Sequence, residues 1–205
     1  MKTSFSALAV VAALVIAAPA QAAEKGELLR DANRTVNHLK SDPAFATAAR
    51  MLRDAKAVYI VPHLVKGGFV FGAEGGSGVV LRRTGRGWGE PKFYDMGSAS
   101  FGFQAGLEKA ELVFIINSDR ALAGIEHGNF KLGGQAGVTV ATLSSGAEGA
   151  TTAHGGDIVV WSSGTGLFGG VAFNGSVITP DKDLNSTPTT GPEAQALRAN
   201  LGSVR

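Results

Sequence analysis

The chain has 205 residues, 44% hydrophobic and 18% charged, with no cysteine and a formal net charge of +2 at pH 7. The missing cysteine excludes disulfides, thiolate nucleophiles, cysteine-ligated zinc and a lipidated N-terminal cysteine. The near-neutral charge gives no global basic field, so nucleic acid is not an expected partner.

The first residues carry one lysine, an apolar run from Ala7 to Ala18 and small residues around Ala20-Gln21-Ala22. Residues 1–22 therefore read as a secretory signal peptide with an A-x-A cleavage site. The apolar run is shorter than the roughly 20 residues a membrane span needs. Cleavage would leave about 180 residues, one domain's worth of chain. The mature protein is expected to be soluble and periplasmic or secreted.

From Gly26 to Lys40, Leu28, Leu29, Ala32, Val36 and Leu39 recur at helical spacing with Arg30, Arg34, Asn37 and Lys40 between them, the pattern of an amphipathic helix. Ser41-Asp42-Pro43 reads as a cap with proline in the first turn, and Phe45, Ala48, Leu52 and Ala55 continue a second stripe to Lys56. Residues 23–56 are thus a helical hairpin.

At Ala57 the period changes. AVYIVPHLV, GGFVFGAEG, SGVVLRR, PKFYDMG, ASFGFQAG, ELVFIIN, FKLGGQAGVTVATL, DIVVW and LFGGVAFNGSVI are β-branched or aromatic and separated by glycine-rich turns. Residues 57–180 form the β-rich body. One short helix interrupts it, capped by Ser118 or Asp119 and ended by Gly128 in the left-handed conformation. Residues 181–205 are a polar linker and a final helix opened by Pro192.

Glycine inside a strand costs roughly 0.5–1 kcal/mol relative to alanine, so its recurrence needs a reason. Tightly coiled strands supply one, because glycine lets the backbone bend or another segment approach closely. The expected fold is α+β: an N-terminal helical hairpin packed on a strongly curved, glycine-rich, mainly antiparallel, barrel-like sheet, with a short C-terminal helix.

Chemistry is sparse. Gly164, Gly166 and Gly169 have G-x-G-x-x-G spacing after a strand, but no helix follows to hold a pyrophosphate, and Asp181 and Asp183 lie in a polar, proline-containing stretch. His38, His63, His127 and His154 show no metal or catalytic pairing and read as surface or structural residues. Ser100 lacks the leading glycine of a nucleophile elbow, and Glu108 and Glu111 read as solvated carboxylates. No catalytic residue, metal or cofactor is expected. Asn174-Gly175-Ser176 and Asn185-Ser186-Thr187 match the glycosylation acceptor pattern.

LRRTGRGWGEPKFY carries more. Arg82, Arg83 and Arg86 cluster at a hairpin turn with Trp88, followed by Lys92. Cations with an indole suit anionic headgroups at about 1 kcal/mol per Lys or Arg. Trp88 folded onto the body is the equal alternative.

The run AVYIVPHLVKGGFVFG at Ala57–Gly72 resembles the opening of the SYLF domain, a lipid-binding module also described in fungi as an actin-binding domain. The likeness continues through GSGVVLR at Gly76, WGEPKFY at Trp88, GSASFGFQAG at Gly97, Ala121-Leu122, KLG at Lys131, and GLFGG with Gly175. The resemblance implies binding of membrane lipid through the N-terminal amphipathic helix. It points to Leu28, Leu29, Val36 and Leu39 as apolar contacts, to Arg30, Arg34 and Lys40 beside them, and to Lys66 at a motif position. With a signal peptide, neither actin nor cytoplasmic phosphoinositides are expected partners. The expected function is non-catalytic association with anionic phospholipid at a membrane surface of the cell envelope. The alternative is a structural protein that docks an envelope protein.

Overall fold

The run from Ala57 keeps its extended backbone to Gly68 and forms β1, flanked on both sides in a nine-stranded sheet. The computed structural model describes residues 6–68, 71–85, 87–101, 106–134, 137–144, 156–163 and 175–204. The other strands are β2 (Phe71–Thr84), β3 (Gly87–Trp88), β4 (Lys92–Phe101), β5 (Gly106–Ile116), β6 (Phe130–Lys131), β7 (Val140–Ser144), β8 (Ile158–Ser162) and β9 (Val177–Pro180). Their order is β6-β9-β4-β2-β1-β5-β8-β7, with β3 paired to β2. Every pairing is antiparallel except β7 with β8, and the sheet curls into a half-barrel.

The expected α+β fold is the observed one, with corrections in its strands. Gly67 and Gly68 of GGFVFGAEG end β1, its part from Phe71 on forms one strand, β2, with SGVVLRR, and PKFYDMG continues into ASF as β4. Gly75, Gly76, Gly78 and Gly97 do not turn the chain. The turning glycines are those at positive φ: Gly85, Gly128, Gly133, Gly137 and Gly175. Within FKLGGQAGVTVATL two of these cut the expected strand to β6 and β7. The GTGLFGG segment lies outside the described residues, and only its continuation is seen, as β9.

Four α-helices are found among the described residues: α1 (Ser6–Ser41), α2 (Phe45–Asp54), α3 (Asp119–Glu126) and α4 (Pro192–Gly202). The helix read from Gly26 runs back to Ser6 through the alanine-rich stretch before it, whose composition favours it. Asp42 makes a local turn, its Oδ1 accepting from Ala44 N at 2.8 Å, and so is not the cap of α2. Ser118 is the cap expected for α3, its hydroxyl accepting from Ala121 N at 3.2 Å. Among the described residues no helix is long and apolar enough to cross a membrane.

Alternation along the strands divides the core in two. One cluster holds Val58, Ile60, Val79, Leu81, Val113, Ile115 and Trp161 beneath α1, α2 and α4. The other holds Tyr59, Val61, Val80, Phe114, Val160 and Ile178 beneath α3. Between Val61 and Leu64, β1 gains one residue over its neighbours, a bulge occupied by Pro62 and His63. A proline inside a central strand is tolerated there because the ladder is already interrupted.

Candidate functional site

α1 is the element on which most of the expected contacts converge. Its sequence lays three parallel stripes along the helix. Leu29, Ala32, Val36 and Leu39 form the apolar one and are fully buried, with Leu28 partly buried against the same cluster. In this conformation the stripe belongs to the protein's own core.

The second stripe, Asp31, Thr35 and His38, has i, i+4, i+7 spacing and meets the bulge and β5. Asp31 Oδ2 lies 2.7 Å from His63 Nε2, and Arg34 donates to Asp31 Oδ1 at 2.5 Å. Thr35, with no exposure, donates to Glu111 Oε1 at 2.9 Å, and His38 Nδ1 lies 2.8 Å from Glu111 Oε2. Two histidines that look solitary in the sequence are therefore each paired with a carboxylate. Glu111, read as a solvated acid, is the anchor of this seam.

The third stripe, Arg30, Asn33, Asn37 and Lys40, faces α4. Arg30 pairs with Glu193 at 3.0 Å. The Asn200 amide donates to Asn33 Oδ1 at 2.8 Å and to Asn37 Oδ1 at 2.9 Å. Lys40 donates to the Asn200 carbonyl and to Ser203 Oγ, both at 2.8 Å, and also to Asn200 Oδ1. Upstream, Lys25 donates to Thr187 Oγ1 at 2.7 Å and to its carbonyl at 2.9 Å. Burial lowers the Lys40 ammonium below the usual lysine range, and burial followed by the charge of Lys92 does the same to Lys25. Arg30 and Arg34 nonetheless keep more than half of their side-chain surface, at 55% and 61% exposed.

The basic hairpin is more closed than its sequence suggests. Trp88 is folded onto the body, 2% exposed. The Arg83 guanidinium sits 3.9 Å from the Trp88 ring centroid and donates to the carbonyls of Ala55 (3.4 Å), Arg53 (3.3 Å) and Leu52. It thereby satisfies the orphan carbonyls at the end of α2, and burial lowers its pKa. Arg82 faces outward and pairs with Glu126 at 3.2 Å, while Lys92 is exposed beside Glu90 at 3.5 Å. Arg86 lies outside the described residues. In β1, register sets Lys66 between Glu74 of β2 and Glu108 of β5.

Asn185, an acceptor by its sequence pattern, has a structural role. Its Oδ1 accepts from Phe93 N at 2.9 Å and its Nδ2 donates to Phe93 O at 2.7 Å, so the carboxamide imitates a strand partner for β4. Asn174 lies outside the described residues. Among the described residues no group of three His, Cys, Asp or Glu side chains is arranged to hold a metal ion.

Known proteins share this chain's body. A family model described as "Ysc84: Las17-binding protein actin regulator" matches residues 97–188. Protein YSC84 of Saccharomyces cerevisiae is 35% identical over 140 residues, covering 66% of this chain and 30% of the yeast protein. The human SH3 domain-containing YSC84-like protein 1 is 32% identical over 168 residues, covering 80% of this chain and 48% of the human one. LAS seventeen-binding protein 3 of Saccharomyces cerevisiae is 34% identical over 140 residues, 66% of this chain and 30% of that protein. The chain thus spans half or less of each of these relatives, and no solved structure matches it. These matches show that the chain belongs to the SYLF, or Ysc84, family.

Proposed function

We propose that this chain is a non-catalytic binding module that associates with anionic phospholipid at a membrane surface of the cell envelope, after export through its N-terminal leader. The observation that carries the reading is α1: an amphipathic helix laid on one face of the sheet, with exposed Arg30 and Arg34 beside its buried stripe. The family resemblance assigns lipid contact to this helix. Among the described residues the one large hydrophobic side chain classed as exposed is Val65, at 39%. Contact with the docked helix is therefore made by charge, at about 1 kcal/mol per cation near an anionic surface, and it weakens as salt screens it.

Co-sedimentation tests this with residues 24–205 and vesicles of neutral phospholipid, or the same lipid doped with phosphatidylglycerol or cardiolipin, at two salt concentrations. Pelleting is expected only with anionic vesicles, less at higher salt, and reduced by Arg30→Gln with Arg34→Gln. Equal pelleting with neutral vesicles, or none with either, refutes the reading.

A second reading is favoured by the relatives' names: they are called Las17-binding or LAS seventeen-binding proteins, which makes docking of a protein partner the rival function. Salt-insensitive capture of one envelope protein in the absence of lipid would select it.

A further inference from the structure

We propose that the C-terminal segment Thr187–Ser203 is a latch that keeps α1 on the sheet, so that α1 leaves the body only when α4 lets go. The latch has a body end and a grip. At the body end, Thr189 N donates to Glu90 Oε1 at 2.6 Å and Arg198 Nε donates to the Trp88 carbonyl at 2.7 Å. Ala194, Leu197 and Leu201 enter the same apolar cluster as Leu29, Val36 and Leu39.

The grip runs along one edge of α1 in four places: Thr187 on Lys25, Glu193 on Arg30, Asn200 on Asn33 and Asn37, and Asn200 with Ser203 on Lys40. α1 meets α4 more extensively than it meets any single strand. Asn200 is the hinge-pin of the grip, because one side chain touches three residues spaced over two turns of α1. Among the described residues the opposite edge is held to the sheet through Asp31, Thr35 and His38; the buried Thr35–Glu111 bond is its one firm point, and both histidines of that seam are largely exposed. The two histidine pairs hold weakly, whereas the C-terminal segment bonds α1 at Lys25, Arg30, Asn33, Asn37 and Lys40, so that edge carries the larger number of polar ties.

Hydrogen exchange on the full chain tests this with the variant Glu193→Gln, Asn200→Ala, Ser203→Ala, whose positions lie outside the core. Amides of α1 from Lys25 to Ser41 are expected to exchange roughly tenfold faster, together with α4, while β1 and β5 stay protected. Acceleration of α4 alone overturns the latch. The chain has no cysteine, so Asn33→Cys with Asn200→Cys gives a unique thiol pair. Bridging it with a short bismaleimide should slow α1 exchange below that of the unbridged pair, and unchanged exchange again overturns the proposal.

Whether release changes membrane contact rests on the lipid reading, and a vesicle arm separates the two. If the latch variant frees α1 and no form pellets with phosphatidylglycerol vesicles, the latch stands and the lipid reading falls. If α1 stays protected while the unaltered protein pellets, the lipid reading stands and the latch falls.

Discussion

Gly78→Ala is the sharpest test of why glycine recurs inside these strands. A Cβ at Gly78 would lie 2.4 Å from the Ile60 carbonyl oxygen and 2.6 Å from Tyr59 Cε2, against roughly 3.5 Å for a relaxed contact. Neither neighbour gives easily. Ile60 is in register with strands on both sides. The fully buried Tyr59 ring stacks on Phe114 at 5.4 Å and reaches past β2 to donate its hydroxyl to the Tyr94 carbonyl at 3.2 Å. The empty side-chain slot at Gly78 is what lets it pass. Overpacking costs about 1–3 kcal/mol and an orphaned buried hydroxyl about 1–3 more, while alanine returns about 0.5–1 through the unfolded chain. The net loss should be roughly 3 kcal/mol, or about 6–12 °C in Tm for a chain of this size. Gly75→Ala is the internal control, on the same strand, where a Cβ would approach Met96 O no closer than 3.7 Å. It should change stability by less than about 1 kcal/mol. Urea denaturation followed by far-UV circular dichroism measures both. Equal midpoints for the two variants would refute close approach as the reason for glycine here.

Arg83→Lys keeps the charge but loses the planar fork that stacks on Trp88 while reaching the end of α2, so the unfolding free energy read from urea denaturation should fall by about 1–2 kcal/mol; an unchanged midpoint would show the fork to be dispensable. Asn185→Ala removes both bonds to the Phe93 backbone and should cost about 1–3 kcal/mol in a thermal melt. Asn185→Asp should do no better, because the carboxylate restores the acceptor but places a second one against the Phe93 carbonyl. Asp157 has its pKa lowered to about 2 by hydrogen bonds from the Ser118 side chain and from the Thr139 backbone and side chain. A folded pKa below the unfolded value contributes stability that is present above pH ~4 and is lost as pH falls through about 2. Asp157→Asn should therefore lower the urea midpoint at pH 7 and shrink the difference between pH 5 and pH 2; an undiminished difference assigns the acid sensitivity to other groups.

Periodicity exposed the elements whose signal is local. The apolar stripe of α1, the Ser118 cap, the Pro192 start and the change to strand at Ala57 all depend on neighbours a few residues apart. Glycine misled where its two uses look alike on paper: Gly75 and Gly97 lie in extended strands, whereas Gly85 and Gly133 turn at positive φ. The polar stripes of α1 were visible as spacing, yet nothing local distinguishes Asn33 or Thr35 from a solvated residue. Their partners lie 167 and 76 positions away. Trp88 posed the same difficulty, since a tryptophan beside arginines suits a membrane loop as well as a buried cation–π stack. The choice was made by α2, whose open carbonyls hold Arg83 over the ring.

The burial of the α1 stripe bears on how such a module can touch a bilayer. Leu29, Val36 and Leu39 are each stabilised by roughly 1.5–3 kcal/mol on burial, and a bilayer interface could at best return that amount. Lifting α1 also uncovers Ile60, Val79, Val113 and Ile115 on the sheet beneath, and nothing in the bilayer plane compensates for their exposure. The apolar balance therefore opposes release. What favours it is the attraction of Lys25, Arg30, Arg34 and Lys40 to anionic lipid, about 4 kcal/mol in total at about 1 kcal/mol each, reduced by the partners they give up on Thr187, Glu193, Asp31 and Asn200. Those terms do not balance: at the same rate the four uncovered sheet residues cost about 6–12 kcal/mol, more than the cations return. The docked helix should bind moderately charged membranes reversibly through Arg30 and Arg34, and full release should require either a densely anionic surface or a second occupant for the exposed sheet. A protein partner could supply that occupant, and the lipid and docking readings would then describe two stages of one event. The two stages differ in salt dependence: the first fades as salt rises, whereas the second, resting on apolar burial, does not.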